Sequence, residues 1–239
     1  MEGKSSQISM SLLAAILSFV LLSLQLKWAV EAQTIPPAKF DGFVYGKTTE
    51  FNPENILIEA FFDPVCPDTR DAWPPLKQAL DYYGSRLSLI VHPFPLPYHD
   101  NAFVTSRALH IVNDLNSSAT YPLWESFFKH QERFYNSATN TKSRVEVVDE
   151  ILDFIAESLG HSYYSAVKSG FNDRNSDLKT RISFKYGCSR GVYGTPTFFV
   201  NGFALPDAGS PVDYNGWRKI IDKLISSNGI RWDSVLLMK

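Results

Sequence analysis

The order of hydrophobic patterns along the chain is the feature that most constrains its fold. The run "NILIEAFF" (55–62) is short and rich in β-branched and aromatic residues, which predicts a buried strand. A helical pattern follows and closes at Gly84, and "LSLIV" (87–91) predicts a second strand. These segments together predict a β-α-β unit with parallel strands and a right-handed crossover.

The pattern then changes twice more. It is helical from Asp100 to Arg190, and "TPTFFV", the turn Asn201-Gly202 and "FAL" then predict a hairpin with a type I′ turn. A final helix carries Trp217 on its apolar face. The whole order predicts an α/β fold whose sheet is interrupted in sequence by an all-helical block.

Composition excludes several function classes. The 239 residues are 44% hydrophobic and carry a net charge of -2, which allows one well-buried core and gives no reason to expect nucleic-acid binding. The five histidines show no ligand spacing, so no metal site and no bound cofactor are expected. The oligomeric state stays open.

The N-terminus has the character of a secretory signal. Lys4 precedes the apolar run "MSLLAAILSFVLLSL", and "AVEA" ends in small residues, which predicts cleavage after Ala32. An uncleaved signal anchor is the alternative. Cleavage would give a protein of the secretory pathway, extracellular or vacuolar, with no membrane attachment. In that compartment Asn116-Ser117-Ser118 is a glycosylation acceptor, at Asn116.

Three stretches carry a family resemblance: "DPVCPDT", "HPFPLPYHDNAF" and "GVYGTPTFFVNG". Between about residues 38 and 228 the chain resembles the DsbA-like, periplasmic disulfide oxidase branch of the thioredoxin superfamily. The resemblance implies a thioredoxin fold with an inserted helical subdomain. The predicted organisation has five parts: a signal peptide at 1–32, a thioredoxin-fold part at 33–98, the helical insertion at 99–190, a second thioredoxin-fold part at 191–228 and a tail at 229–239.

Cys66 is the candidate catalytic residue. It stands at a predicted helix N-terminus, where free N–H groups and the helix dipole stabilise a thiolate, and Pro67 suits the first helical position. Asp68 opposes this effect, because a nearby carboxylate disfavours a thiolate. The alternative is an inert buried thiol that only packs.

Thr69 occupies the position where dithiol enzymes carry their second cysteine. Threonine cannot attack a mixed disulfide, so release of a substrate from Cys66 would require an external thiol. Its hydroxyl can still donate a hydrogen bond to the Cys66 thiolate. The remaining cysteine, Cys188, either pairs with Cys66 or, as we expect, is a small buried packing residue apart from it.

The resemblance implies further roles. Thr195 and Pro196 would form a cis-proline element that binds substrate opposite Cys66, together with Pro67 and Asp68; an ordinary strand-start proline is the alternative. Glu59 would be a buried acid that moves protons, with its pKa raised by burial, or else a strand-end residue that faces solvent.

Three functions agree with these features. The first is a monothiol thiol-disulfide oxidoreductase that acts through Cys66 on cysteine-containing peptides, with glutathione as co-substrate. The second is a non-catalytic module that binds peptides in the cis-proline cleft. The third is a glutathione-dependent transferase.

Overall fold

The computed structural model describes residues 16, 18, 19, 40–46 and 55–228, with side chains up to residue 226. The chain divides into two compact units, residues 1–40 and 41–239, and the second is described below. The predicted tail and nearly all of the predicted signal peptide lie outside the described residues. Within the described part of the chain, no helix has the length and apolar character needed to cross a membrane.

The described strands form one mixed sheet with the order β1-β3-β2-β4-β5. Their bounds are Phe43–Val44 (β1), Ile56–Phe62 (β2), Leu87–Pro93 (β3), Thr197–Val200 (β4) and Phe203–Ala204 (β5). Strands β2 and β3 are parallel, with Ile56 opposite Leu87, and the other neighbouring pairs are antiparallel. The predicted β-α-β unit and hairpin are therefore both present.

Helices cover this sheet and form the insertion. Their bounds are Pro67–Tyr83 (α1), Ala102–Leu115 (α2), Thr120–Lys129 (α3), Asn136–Thr139 (α4), Arg144–Leu159 (α5), Tyr163–Asn172 (α6), Arg174–Ser189 (α7) and Tyr214–Asn228 (α8), with a short 3₁₀ turn at Gln131–Phe134. Helices α2 to α7 lie between β3 and β4 in sequence. This is the thioredoxin fold with an inserted helical subdomain.

Alternate residues of β2 face two different layers, as the period of a strand requires. Ile58 and Ala60 belong to the main core, which also contains Leu76 of α1 and Trp217 of α8. Glu59 and Phe61 face the other side, where Phe61 stacks on Tyr186 of α7. The central strand is therefore covered on both faces, which explains why it reads as an almost continuous apolar run.

Helix α7 approaches the sheet closely because Gly187 has no side chain. A Cβ atom at this position would collide with the ring of Phe94. The close approach completes a second, smaller apolar cluster at the end of the sheet. Its members are Phe61, Cys66, Phe94, Leu96, Val192 and Phe199.

The hairpin between β4 and β5 turns at Asn201 and Gly202. Their φ angles are 49° and 83°, and positive values at both central residues are what a type I′ turn requires. The turn pairs β5 with β4, and Asn201 also binds Leu57 of β2 through its backbone N–H and its side-chain oxygen. Its position fixes where the preceding residues, Thr195 and Pro196, meet the end of β2.

Candidate active site

Cys66 lies in the turn between β2 and α1, where the first helical N–H groups point. It is the N-cap residue of α1, with extended backbone angles (φ -84°, ψ 122°), and Pro67 begins the helix as predicted. The backbone of Cys66 is held at both ends, since its N–H donates to Asp63 and its carbonyl accepts from Arg70. Its side chain is buried in the smaller apolar cluster, and the residue is only 3% exposed.

The sulfur of Cys66 contacts the loop before β4. Its thiol donates a hydrogen bond to the Thr195 carbonyl at 3.4 Å. The Thr195–Pro196 peptide bond is cis, in agreement with the sequence prediction. The structure therefore brings together three predicted site residues that are far apart in sequence.

The other predicted residues of the Cys66 motif differ in their exposure to solvent. Asp68 is exposed and Pro67 is half-buried. Thr69 is completely buried, but its hydroxyl makes no hydrogen bond within the described part of the chain, so the expected bond to Cys66 is not formed. The hydroxyl of Thr195 is buried and unpaired in the same way.

The contact between Asp63, which directly precedes the Cys66 turn, and His99 was not predicted from the sequence. Asp63 is completely buried, and its carboxylate accepts hydrogen bonds from the backbone N–H of Val65 and of Leu96. The same carboxylate oxygen that binds Leu96 lies 2.7 Å from His99 Nδ1. Asp63 therefore ties the active-site turn to the loop after β3, and the His99 side chain that it contacts is partly exposed.

Gln131, in the helical insertion, is a second residue that the sequence did not reveal. Its buried side-chain amide donates to the carbonyls of Pro64 and Cys66, each at 2.9 Å. Its own carbonyl oxygen accepts from Tyr135 at 2.9 Å. The insertion therefore supports the backbone of the active-site turn directly.

Glu59 is buried, but the prediction that its pKa is raised is wrong. Burial acts to raise the pKa, and the interactions of the carboxylate with His92, Tyr186 and Arg190 outweigh it, so that the pKa lies below its ordinary value. Tyr186 donates to Glu59 at 2.9 Å and Arg190 at 3.3 Å. Glu59 is therefore a paired carboxylate rather than a protonated acid.

His92 completes this buried polar group on the β3 side. Its Nδ1 lies 3.0 Å from Asp41, and its Nε2 lies 3.6 Å from Glu59, just beyond hydrogen-bond distance. Burial alone would lower the pKa of His92, but the two carboxylates reverse this and raise it. Phe61 stacks on the His92 ring and belongs to the same apolar cluster as Cys66.

Cys188 corrects another prediction. Both cysteines are free, and Cys188 is exposed near the end of α7 rather than buried as a packing residue. Its partnership with Cys66, weighed as an alternative from the sequence, is not formed. Cys66 therefore has no second sulfur bonded to it.

Two exposed aromatic side chains belong to loops of the site, one before the cis-proline and one after β3. Tyr193, just before Thr195, is 78% exposed, and Tyr98, beside His99, is 62% exposed. Partial burial raises the pKa of Tyr98, and the nearby acidic groups of Cys66, Asp63 and Asp68 act in the same direction, which places Tyr98 near the site.

Outside this site, two further predictions can be located. Asn116 is exposed and caps a 3₁₀ turn, with its amide nitrogen 3.0 Å from Tyr163 Oη. Its glycosylation stays a prediction. Among the described residues, no group of three or more histidine, cysteine, aspartate or glutamate side chains could hold a metal ion.

Comparison with known proteins gives structural relatives at low sequence identity. A proposed protein-disulfide isomerase from Pseudomonas syringae has a TM-score of 0.61 at 18% identity, covering 76% of this chain and 98% of that chain. The thiol-disulfide exchange protein α-DsbA2 from Wolbachia pipientis has a TM-score of 0.59 at 15% identity, covering 77% and 87%. A periplasmic thioredoxin-like protein from Salmonella enterica serovar Typhimurium has a TM-score of 0.51 at 14% identity, covering 76% and 88%.

These likenesses establish the fold, and a comparison of sequences establishes the family. No curated protein matches the chain significantly. A family model described as Thioredoxin matches residues 54–223, which is well over half of the chain and includes both Cys66 and Pro196. The chain therefore belongs to the thioredoxin family.

Proposed function

We propose that the protein is a monothiol thiol-disulfide oxidoreductase that acts through Cys66. One observation carries this proposal: the Cys66 sulfur lies at a helix N-terminus and 3.4 Å from the carbonyl that precedes cis-Pro196. A peptide or glutathione bound against that loop would bring its own sulfur close to Cys66. The structural relatives named for disulfide isomerisation and thiol-disulfide exchange support the same class of reaction.

The reaction proceeds in two exchanges. The Cys66 thiol loses its proton, its sulfur attacks a substrate disulfide, one substrate sulfur leaves as a thiolate, and a mixed disulfide with Cys66 remains. A second thiolate must then attack this mixed disulfide. Thr69 offers no sulfur, and Cys188 is exposed and unpaired, so an external thiol such as glutathione performs the second step.

The test is to incubate the reduced protein with glutathione disulfide and follow its intact mass. We expect glutathione on Cys66, persistence of that adduct in buffer and its removal by added glutathione. Cys66→Ser should form no adduct at this site, while Cys188→Ser should form and keep the Cys66 adduct as the wild type does. Spontaneous release from the wild type without added thiol would contradict the monothiol mechanism.

A second candidate function is a module that binds peptides in the cleft without catalysis. The exposure of Tyr98 and Tyr193 favours it, because aromatic rims provide contact area for extended peptides. Binding of a cysteine-free peptide, unchanged in Cys66→Ser, would support this function. Peptide binding that requires Cys66 would support catalysis instead.

We also propose that the protein enters the secretory pathway and loses its first 32 residues, as the sequence before Gln33 indicates. The periplasmic location of the Salmonella relative is consistent with export. N-terminal sequencing of the protein from its native cells tests this. We expect a start at Gln33, and a retained Met1 would contradict it.

A further inference from the structure

Two buried hydroxyl groups beside Cys66 are left unpaired within the described part of the chain. They belong to Thr69 and Thr195, which are 0% and 3% exposed. Buried hydroxyl groups normally find a partner, because an unpaired one loses its hydrogen bonds to water without replacement. Two unpaired donors on residues that adjoin the same sulfur therefore suit a group on that sulfur that accepts hydrogen bonds.

The two threonines approach Cys66 from different elements of the fold. Thr69 is the third residue of α1, three positions after the N-cap residue Cys66, and these are the two positions whose residues meet in a capping box. Helical side chains tilt toward the N-terminus, which directs Thr69 toward the Cys66 turn. Thr195 comes from the opposite element, the loop whose carbonyl accepts the Cys66 thiol.

The residues that adjoin the sulfur thus carry one acceptor in contact with it and two unpaired donors. The acceptor is the Thr195 carbonyl, and the donors are the hydroxyls of Thr69 and Thr195. The other neighbours in this cluster, such as Phe94, Leu96 and Val192, are apolar. A sulfenic acid, S–O–H, has the complementary set, since its hydrogen can donate to the carbonyl and its oxygen can accept from the hydroxyls.

We propose that Cys66 reduces small hydroperoxides, and that the hydroxyls of Thr69 and Thr195 stabilise the resulting sulfenic acid. In the reaction the sulfur attacks one oxygen of the peroxide, the O–O bond breaks and an S–O bond forms. The thiol proton goes to the leaving oxygen, which departs as water or an alcohol. The sulfur is oxidised by two electrons and the peroxide is reduced by two.

The burial of Cys66 limits which hydroperoxides reach the sulfur. With 3% of the residue exposed, hydrogen peroxide and short alkyl hydroperoxides can reach the sulfur more easily than bulky lipid hydroperoxides. An external thiol then condenses with the sulfenic acid to give water and a mixed disulfide. Only this return step rests on the proposed monothiol function; the oxidation does not.

The experiment uses the full chain carrying Cys188→Ser, so that one sulfur remains. The reduced protein is treated with stoichiometric hydrogen peroxide, and dimedone, which reacts with sulfenic acids, is added after increasing delays. Mass spectrometry then measures the trapped fraction. We expect a dimedone adduct on Cys66 that can still be trapped long after the peroxide is consumed.

The threonine variants test the role of the hydroxyls. Thr69→Val and Thr195→Val should each shorten the lifetime of the sulfenic acid about tenfold, which is the effect of one strong hydrogen bond, and should increase oxidation to sulfinic acid. Thr69→Ser keeps the hydroxyl and should retain the long lifetime. Thr180→Val is the control, because that hydroxyl already donates to Ser176 in α7.

Two results would contradict stabilisation of a sulfenic acid at Cys66. Absence of a dimedone adduct on Cys66, or unchanged lifetimes in both valine variants, would overturn the proposal. Unfolding temperatures show whether each variant is folded, and Thr69→Ser supplies the comparison if Thr69→Val is not. Reaction with glutathione disulfide in the absence of peroxide is measured separately, so failure of the monothiol function would be seen independently of sulfenic acid formation.

Discussion

The side-chain amide of Gln131 donates a hydrogen bond to the backbone carbonyl of Cys66 at 2.9 Å. A residue of the helical insertion therefore holds the N-cap of the helix that carries the reactive sulfur. The same amide also binds the Pro64 carbonyl, so both of its hydrogens are used on one turn. The insertion is consequently part of the active site and does more than cover the core.

We expect Gln131→Leu to destabilise the protein and loosen the Cys66 turn. Two buried carbonyls would lose their partner, which should lower the free energy of unfolding by about 2 kcal/mol or more. Urea denaturation measures this loss, and the rate of Cys66 alkylation should rise as the turn opens. Gln78→Leu on the exposed face of α1 is the control. Equal stability of the two variants would show that the amide contributes nothing.

Thr69→Cys should convert the protein into a dithiol enzyme. The introduced thiol replaces a hydroxyl that makes no hydrogen bond in the described structure, so the fold should tolerate it. An internal thiol can attack the mixed disulfide on Cys66, which should speed release of bound glutathione without added thiol. The Cys188→Ser background excludes the exposed thiol as the cause. Unchanged release would mean that the two side chains cannot meet.

Glu59 should make the protein sensitive to acid. Because its folded-state pKa lies below the ordinary 4.5, its contribution to stability is present above that value and is lost as the pH falls through the folded-state pKa. Glu59→Gln should therefore be less stable at neutral pH, and the difference should shrink below pH 4.5. Urea unfolding between neutral and acidic pH measures this. A constant difference would contradict the pairing with Arg190 and Tyr186.

Two histidines that are buried in the described part of the chain, His92 of β3 and His110 of α2, should have opposite pH effects. The raised pKa of His92 gives stability that is present below pH 6.5 and is lost as the pH rises through its folded-state pKa. Burial of His110 lowers its pKa to about 4, so its contribution is present above pH 6.5 and is lost toward pH 4. The stability deficit of His92→Gln should shrink at high pH and that of His110→Gln at low pH. Thermal unfolding across this range compares them, and parallel curves would be evidence against both assignments.

Gly187→Ala should destabilise the protein although alanine favours helices. In an exposed helix interior this change would add about 1 kcal/mol of stability. Here the added Cβ meets the Phe94 ring, so α7 or the ring must move, and the cost should outweigh the gain. Ser189→Ala, exposed in the same helix, is the matched control for thermal unfolding. A more stable Gly187→Ala protein would show that the helix can shift freely.

The sequence predicted the elements of the central unit because each has a strong local signal. The apolar run of β2, the Cys66-Pro67 helix start and the Asn201-Gly202 turn are all determined by neighbouring residues. Strand β1, Phe43–Val44, has only two residues and therefore no period to detect. It exists because it pairs with β3.

The polar contacts of the site could not be predicted in the same way. Gln131 meets the Cys66 turn only after the insertion folds back on the sheet, and His99 reaches it from the loop after the neighbouring strand β3. The pKa of Glu59 depends on Tyr186 and Arg190, which follow it by more than a hundred residues. Burial could be inferred from the strand pattern, whereas the partners that reverse its effect could not.

The contrast between an exposed Cys188 and a buried Cys66 has a practical consequence for chemical labelling. A bulky maleimide will report on Cys188 first, and a small alkylating reagent will report on both sulfurs. A conventional thiol count made with a large dye would therefore measure the cysteine that is outside the active site. Blocking Cys188 with a large reagent leaves Cys66 available for selective tagging with a small one, and no mutation is needed.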